Sequence, residues 1–260
     1  MTILVACGLQ REARIIARPG LTVVAGGGDA ARLEGALEAA AAGATAVLSS
    51  GLAGALDPTL KAGDVVIGRL HQPLPDTGRG TAREASSGGQ PQALRAGQSP
   101  STSFAGPPPR AGEVFLAWLA SQLPEATVGA ILGADAIIAS VAEKRDLFAR
   151  TGAIAVDMES HIAARVAARH GLPFAIIRTI SDAADQALPP AALVGMKPNG
   201  SVALGAVLAS LARRPTQLPA LITTGRNAGL AFAALGRLYD VLGRGGIGSL
   251  DLGQLALDMA

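Results

Sequence analysis

Short apolar runs of β type alternate along this chain with Ala-rich stretches whose apolar positions recur at helical spacing. Residues 2–6 predict a first strand and residues 12–17 the opening of a helix. A second strand over 21–25 leads to a helix over 29–42, with Asp29 placed to cap its first turn. Residues 45–50 predict a buried strand, followed by the glycine-punctuated loop Gly51-Leu52-Ala53-Gly54 and a further strand over 64–69. Strands over 127–133, 153–156 and 174–180 then alternate with helices over 142–150 and 158–170, and a core helix over 201–212 follows. Strands that are apolar throughout, separated by helices, predict an α/β domain with a largely buried sheet.

Two segments leave this pattern. Residues 71–110 are rich in Pro, Gly, Ser and Gln, with three consecutive prolines at 107–109, and predict a long surface excursion. Residues 215–260 lie beyond the last core helix and carry an amphipathic stretch over 228–242, which fits a helix packed on the core or a contact with a partner or membrane surface. The organisation expected is one domain over 1–214 carrying the 71–110 insert, then a C-terminal helical extension over 215–260.

Composition narrows the class. Of 260 residues 49% are hydrophobic, enough for one sizeable core, and aromatics are only 3%, so Ala, Val, Leu and Ile must build it. Net charge is +2 and no basic run is interleaved with aromatics, which argues against nucleic acid as a partner. Cys7 is the sole cysteine and sits in an apolar run, where a buried inert thiol is expected. No basic leader precedes the first apolar run, and no apolar stretch reaches the roughly 18 residues that span a bilayer. A cytoplasmic protein, at most peripheral to a membrane, is expected. His71, His161 and His170 are not spaced with other ligands, so no metal is expected.

Candidate chemistry gathers at strand ends. Gly26-Gly27-Gly28 turns from strand to helix but lacks the G-x-G-x-x-G spacing, which disfavours a dinucleotide cofactor. Gly51 and Ala53 would let backbone approach a ligand. Val156-Asp157-Met158-Glu159 and Arg178-Thr179-Ile180-Ser181-Asp182 place acids beyond two successive strands, on the rim where α/β proteins build their sites. The plainer alternative, acids that merely cap a helix and a turn, is equally consistent with the pattern taken alone.

In order, Ile3 to Glu12, Gly26 to Gly28, Ser50-Gly51-Leu52-Ala53-Gly54 with Pro58 to Asp64, Gly133-Ala134-Asp135, Val156 to Glu159 and Arg178 to Asp185 resemble the nucleoside phosphorylase superfamily. Within it the chain is similar to the 5′-methylthioadenosine/S-adenosylhomocysteine nucleosidases. The resemblance implies a three-layer α/β/α nucleoside phosphorylase-like fold with a central mixed twisted sheet. It also implies an enzyme that cleaves the N-glycosidic bond of an adenosine-type nucleoside. Asp182 would donate a proton or a hydrogen bond to purine N7, which wants a carboxyl of raised pKa, and Ser181 would orient it. Glu12 would orient or deprotonate a water. Glu159 would accept from the ribose hydroxyls, with Met158 beneath the sugar, Gly51 and Ala53 giving backbone contacts, and Ile137 and Ile138 stacking near the base. Relatives pair subunits across the site, so a homodimer is implied.

Leu52 stands where relatives carry Ser or Thr, and Asp157 replaces a commoner Glu. Inorganic phosphate therefore stays open as a co-substrate beside water. The insert, the extension and the Gly51-Leu52-Ala53-Gly54 variant resemble the hopanoid-associated phosphorylases, which implies adenosylhopane, a lipid-linked nucleoside, as substrate in hopanoid biosynthesis. A methylthioadenosine-type nucleosidase or another purine nucleoside phosphorylase is the alternative. A non-catalytic nucleoside-binding protein is disfavoured, because a binder has no use for a proton donor at N7.

Overall fold

The computed structural model describes residues 2–71, 111–193 and 203–258, all within one compact unit. The 71–110 insert lies outside the described residues except for His71. Seven strands form one sheet: β1 (Ile3–Cys7), β2 (Leu21–Ala25), β3 (Ala46–Ala55), β4 (Val65–Leu70), β5 (Thr127–Gly133), β6 (Ala155–Asp157) and β7 (Phe174–Asp182). Their order is β2-β1-β3-β6-β5-β4-β7, and β7 pairs back onto β3, so five strands close into a ring at one end of the sheet. β1, β2, β3 and β7 run parallel to one another, while β4, β5 and β6 run opposite to them. The sheet is mixed, as expected.

Alternation along β1 explains the layers. Ile3, Val5 and Cys7 bury against one helical layer, and Leu4 and Ala6 against the other. The first layer holds α1 (Gln10–Ile16), α3 (Ala111–Gln122) and the 27-residue α8 (Leu218–Arg244). The second holds α2 (Ala30–Ala41) and α5 (Ser160–Arg169). On α2, Asp29 caps the first turn through Arg32 N at 2.9 Å, and Leu33, Leu37 and Ala41, one turn apart, face the sheet. α4 (Val141–Thr151) starts on a Ser140 cap and ends at Gly152. Two short helices, α6 (Pro190–Leu193) and α7 (Leu204–Arg213), precede α8, and α9 (Leu252–Asp258) follows it.

Two elements depart from the sequence reading, and a third takes one of the alternatives it left open. β3 does not stop at Ser50 but runs through the glycine motif to Ala55, because Gly51 to Ala53 pair with Arg178 to Ile180 of β7. The pairing, rather than the local propensity, holds the strand. α3 was not foreseen, although it buries Val114, Phe115 and Leu119 completely. The extension is a structural part of the core: Leu235, Leu238, Tyr239 and Leu242 of α8 pack into the same cluster as β1. Among the described residues no helix is long and apolar enough to cross a membrane.

Candidate active site

A cavity of about 870 Å³ opens where β1, β3, β6 and β7 end. Its wall includes Glu12, Ala53, Ile137, Ile138, Met158, Glu159, Ser181 and Asp182, together with Gly27 and Gly28 of the first glycine turn. Eight of the nine residues singled out by sequence therefore meet on one surface. Gly51 is the exception. It lies behind the wall, and its role is to leave space: a Cβ there would stand 2.8 Å from Glu12 Cδ and 2.9 Å from Arg178 Nη1, on a backbone with φ of +148°.

Glu12 is the third residue of α1 and is 3% exposed. Its Oε2 accepts from the N–H of Gly8 and of Leu9, each at 2.8 Å, and its Oε1 accepts from Leu52 N at 2.9 Å. The Leu9 contact is the reach-back half of a capping box. Leu52 thus contributes its backbone amide to hold the acid. Burial raises the pKa of Glu12, opposed by the Leu9 and Leu52 amides, Arg178 and Gly8.

Glu159 stands at the N-cap position of α5 and makes no cap bond, so its carboxyl is free to face the cavity. Capping falls instead to Asp157, whose Oδ1 accepts from Glu159 N at 2.9 Å and Ser160 N at 2.7 Å. The plainer reading of these acids thus holds for Asp157 and fails for Glu159. Burial pushes the Glu159 carboxyl up to about 8, with Arg178 opposing the rise and Asp157 and Glu12 adding to it. Gly8 makes the convergence of the two glutamates possible: a Cβ there would lie 2.6 Å from Glu159 Oε1 and 3.5 Å from Glu12 Oε2.

Two functional residues were missed by sequence reasoning. Arg178, 0% exposed on β7, donates through Nε to Asp157 Oδ2 at 3.0 Å and through Nη2 to Ser49 Oγ at 2.6 Å and Ser160 Oγ at 3.1 Å. Its Nη1 has no hydrogen-bond partner and stands 3.6 Å from Glu159 Oε2. A donor left over in a buried guanidinium between two carboxyls suits a polar ligand there. The other is Lys144 of α4, also 0% exposed, whose Nζ meets Asp182 Oδ2 at 2.5 Å. The signal available for it was a lysine in a chain whose cations are nearly all arginine, Lys61 and Lys197 being the only others. On the opposite oxygen of Asp182, Ser181 Oγ donates to Oδ1 at 2.7 Å, with the Ala53 carbonyl at 3.2 Å on its other side. Ser181 Oγ thus lies within hydrogen-bond reach of the carboxyl it was expected to orient.

The remaining wall is mostly apolar, with Asp29 and Thr224 as polar members. Leu9, Ala31, Leu52, Leu188 and Leu193 share it with Ala228 and Phe232 of α8. Among the described residues no three His, Cys, Asp or Glu side chains group as a metal site.

A model of the phosphorylase superfamily matches residues 4–212. No curated protein matches the chain significantly. Among solved structures, the 5′-methylthioadenosine/S-adenosylhomocysteine nucleosidase of Neisseria meningitidis, in complex with methylthio-immucillin-A, is 22% identical with a TM-score of 0.53, over 93% of this chain and 98% of that one. A mutant of the Helicobacter pylori nucleosidase with 5′-methylthioadenosine in its active site is 17% identical with a TM-score of 0.52, over 92% and 98%. The futalosine hydrolase of the same organism is 18% identical with a TM-score of 0.50, over 92% and 97%. The three share this fold.

Proposed function

Because this chain belongs to the phosphorylase superfamily, the enzymes that include nucleoside phosphorylases and nucleosidases, we propose that it cleaves the N-glycosidic bond of an adenosine-type nucleoside and releases adenine. One observation carries this reading: Glu12, Glu159 and Asp182, far apart in sequence, line a single cavity at the strand ends. Asp182 faces the base and assists its departure, Glu159 takes the ribose hydroxyls, and Glu12 faces the sugar carbon. As the bond breaks, positive charge grows on the sugar, and carboxyls bracketing that charge stabilise it.

Water is the attacking group in this reading. Two buried carboxyls, Glu12 and Asp157, and the partly buried Glu159 surround one guanidinium, Arg178, which is already paired with Asp157. A phosphate dianion entering there would find the Arg178 guanidinium already committed to Asp157 and flanked by two further carboxyl groups. The attacking water is assigned to the Glu12 side of the cavity, and Glu12 removes its proton as it attacks.

The finer assignment is adenosylhopane, a nucleoside whose 5′ substituent is a hydrocarbon. Its support is the predominantly apolar wall of Leu52, Leu188, Leu193, Ala228 and Phe232, which suits a hydrocarbon 5′ group. The experiment is adenine release from adenosylhopane, methylthioadenosine and adenosine, each with and without inorganic phosphate. Phosphate-independent release that is fastest with adenosylhopane is expected. Rapid release from methylthioadenosine alone would remove the hopanoid assignment, a strict need for phosphate would replace water as nucleophile, and no release from any of the three would end the reading.

A further inference from the structure

We propose that Lys144 is a positioning residue that also supplies the proton which Asp182 passes to the leaving base. The inference rests on the functional reading above for its reaction, and on the geometry of one ammonium for its content. Lys144 Nζ has three partners: Asp182 Oδ2 at 2.5 Å, the Ala183 carbonyl at 2.9 Å and the Gln186 carbonyl at 2.9 Å. An ammonium has three hydrogens, so each partner takes one and none is left over. The lysine is 0% exposed, so water is not an alternative partner.

This arrangement differs from an ordinary buried ion pair. The two carbonyls hold two of the N–H groups whatever happens to the third, because a neutral amine still carries two hydrogens. The third hydrogen alone lies toward Asp182. Asp182 in turn reaches the cavity, with Ser181 Oγ fixing its Oδ1. An ammonium, a carboxylate and the leaving base thus stand in sequence from α4 to the pocket.

The step balances. The electron pair of the bond between C1′ and N9 passes into the purine as that bond breaks. N7 takes a proton from Asp182, and Asp182 takes one from Lys144. A neutral base leaves, and the ribosyl cation is captured by water, which loses its proton to Glu12. The proton released from Glu12 to solvent is matched by one taken up from solvent at the Lys144 and Asp182 pair after the base departs.

Lys144 also fastens the loop after β7, since Ala183 and Gln186 lie on it, so a purely structural role must be distinguished. The test compares wild type, Lys144→Met, Lys144→Arg and Asp182→Asn on two substrates. One is the adenosine-type nucleoside that the wild type cleaves, and the other is a 4-nitrophenyl riboside, whose leaving group departs without protonation. For Lys144→Met and Asp182→Asn the expected loss in kcat on the nucleoside is about 10²- to 10⁴-fold, the usual range for general acid catalysis, with KM little changed. On the nitrophenyl riboside both variants should stay near wild type, and Lys144→Arg should recover part of the nucleoside rate. Equal loss on both substrates by Lys144→Met would overturn the proposal and leave the lysine a structural tie.

A second readout needs no turnover. Only three lysines are present, so ¹⁵N-lysine labelling gives three side-chain signals, and Lys144→Met assigns one of them. Asp182→Asn should move that signal, and adenine binding followed in parallel by calorimetry should move it in wild type but not in Asp182→Asn. Absence of adenine binding would count against the functional reading. A Lys144 signal indifferent to Asp182→Asn would count against this proposal.

Discussion

Arg178 Nε donates to Asp157 Oδ2 at 3.0 Å, and neither side chain is reached by solvent. The contact ties β7 to the end of β6, and the other oxygen of Asp157 starts α5, so one pair sets where Glu159 leaves the backbone. A buried ion pair is weak evidence for net stability, yet removing one partner strands the other charge. Asp157→Asn and Arg178→Met are each expected to lower unfolding free energy by about 3–5 kcal/mol, read from urea melts. The double substitution should be less harmful than the sum of the two. Losses under about 1 kcal/mol for either single change would mean that Ser49 and Ser160 suffice to hold the remaining partner.

The raised pKa of Glu159 makes stability depend on pH. Its ordinary value of 4.5 applies to the unfolded chain, and burial pushes it up to about 8 in the fold. The folded state therefore binds this proton more tightly between those two values. Stability from this source is fully present below about pH 4.5 and is lost as the pH rises through about 8. Glu12, raised mainly by burial, adds a slope of the same sign. Without ligand, Tm should fall as the pH is raised from 5 to 8.5, and Glu159→Gln should flatten part of that fall. An unchanged slope in the variant would show that Glu159 ionises freely.

The two glycines nearest the glutamates should fail differently when given a methyl group. At Gly8 the obstacle is the end of a flexible side chain, Glu159 Oε1 at 2.6 Å, and the backbone is not in the left-handed region. Gly8→Ala should displace that carboxyl, lowering kcat by at least about tenfold while keeping Tm near wild type. Gly51 meets Glu12 Cδ and Arg178 Nη1 and also has φ of +148°, so Gly51→Ala should lose activity and roughly 1–3 kcal/mol of stability together. Differential scanning calorimetry beside an adenine-release assay separates the two. Equal behaviour of both variants would contradict this division.

Period-2 and period-3.6 patterns made the order of strands and helices legible, because each element repeats its own apolar spacing. They failed at α3, where Val114, Phe115, Leu116, Ala117, Trp118 and Leu119 are all apolar and blur any period. They also failed at Gly51 and Gly54, whose strand conformation is imposed by the neighbouring strand β7 rather than by themselves. The acids of the site were legible through the ordered motifs. Lys144 was not, since its carboxylate partner lies 38 residues away and on a different element. Arg178 read as one polar residue in an apolar strand, and only the fold shows that Asp157, Ser49 and Ser160 surround it.

α8 lies beyond the matched residues 4–212, yet Thr224, Ala228 and Phe232 line the cavity one turn apart. The Phe232 ring is 8% exposed and carries the Arg11 guanidinium 4.0 Å from its centroid. The ring is the aromatic part of the cavity wall, and its size is expected to govern the 5′ substituent and leave the chemistry alone. Phe232→Ala is expected to raise KM for a nucleoside with a long apolar 5′ group by about 10- to 100-fold, corresponding to the ~1.5–3 kcal/mol of a buried apolar side chain. kcat on methylthioadenosine should change by less than about threefold, since binding contacts remote from the reacting atoms fall on KM. Arg11→Ala should have a smaller effect, about 0.5–1 kcal/mol, as expected for a cation over a ring at an exposed position. Ala228→Phe should do the reverse of a deletion, excluding the long substituent by bulk while adenosine still enters. Uniform loss across short and long substituents in Phe232→Ala would instead assign the ring to holding α8 against α1, and would take substrate selection away from this helix.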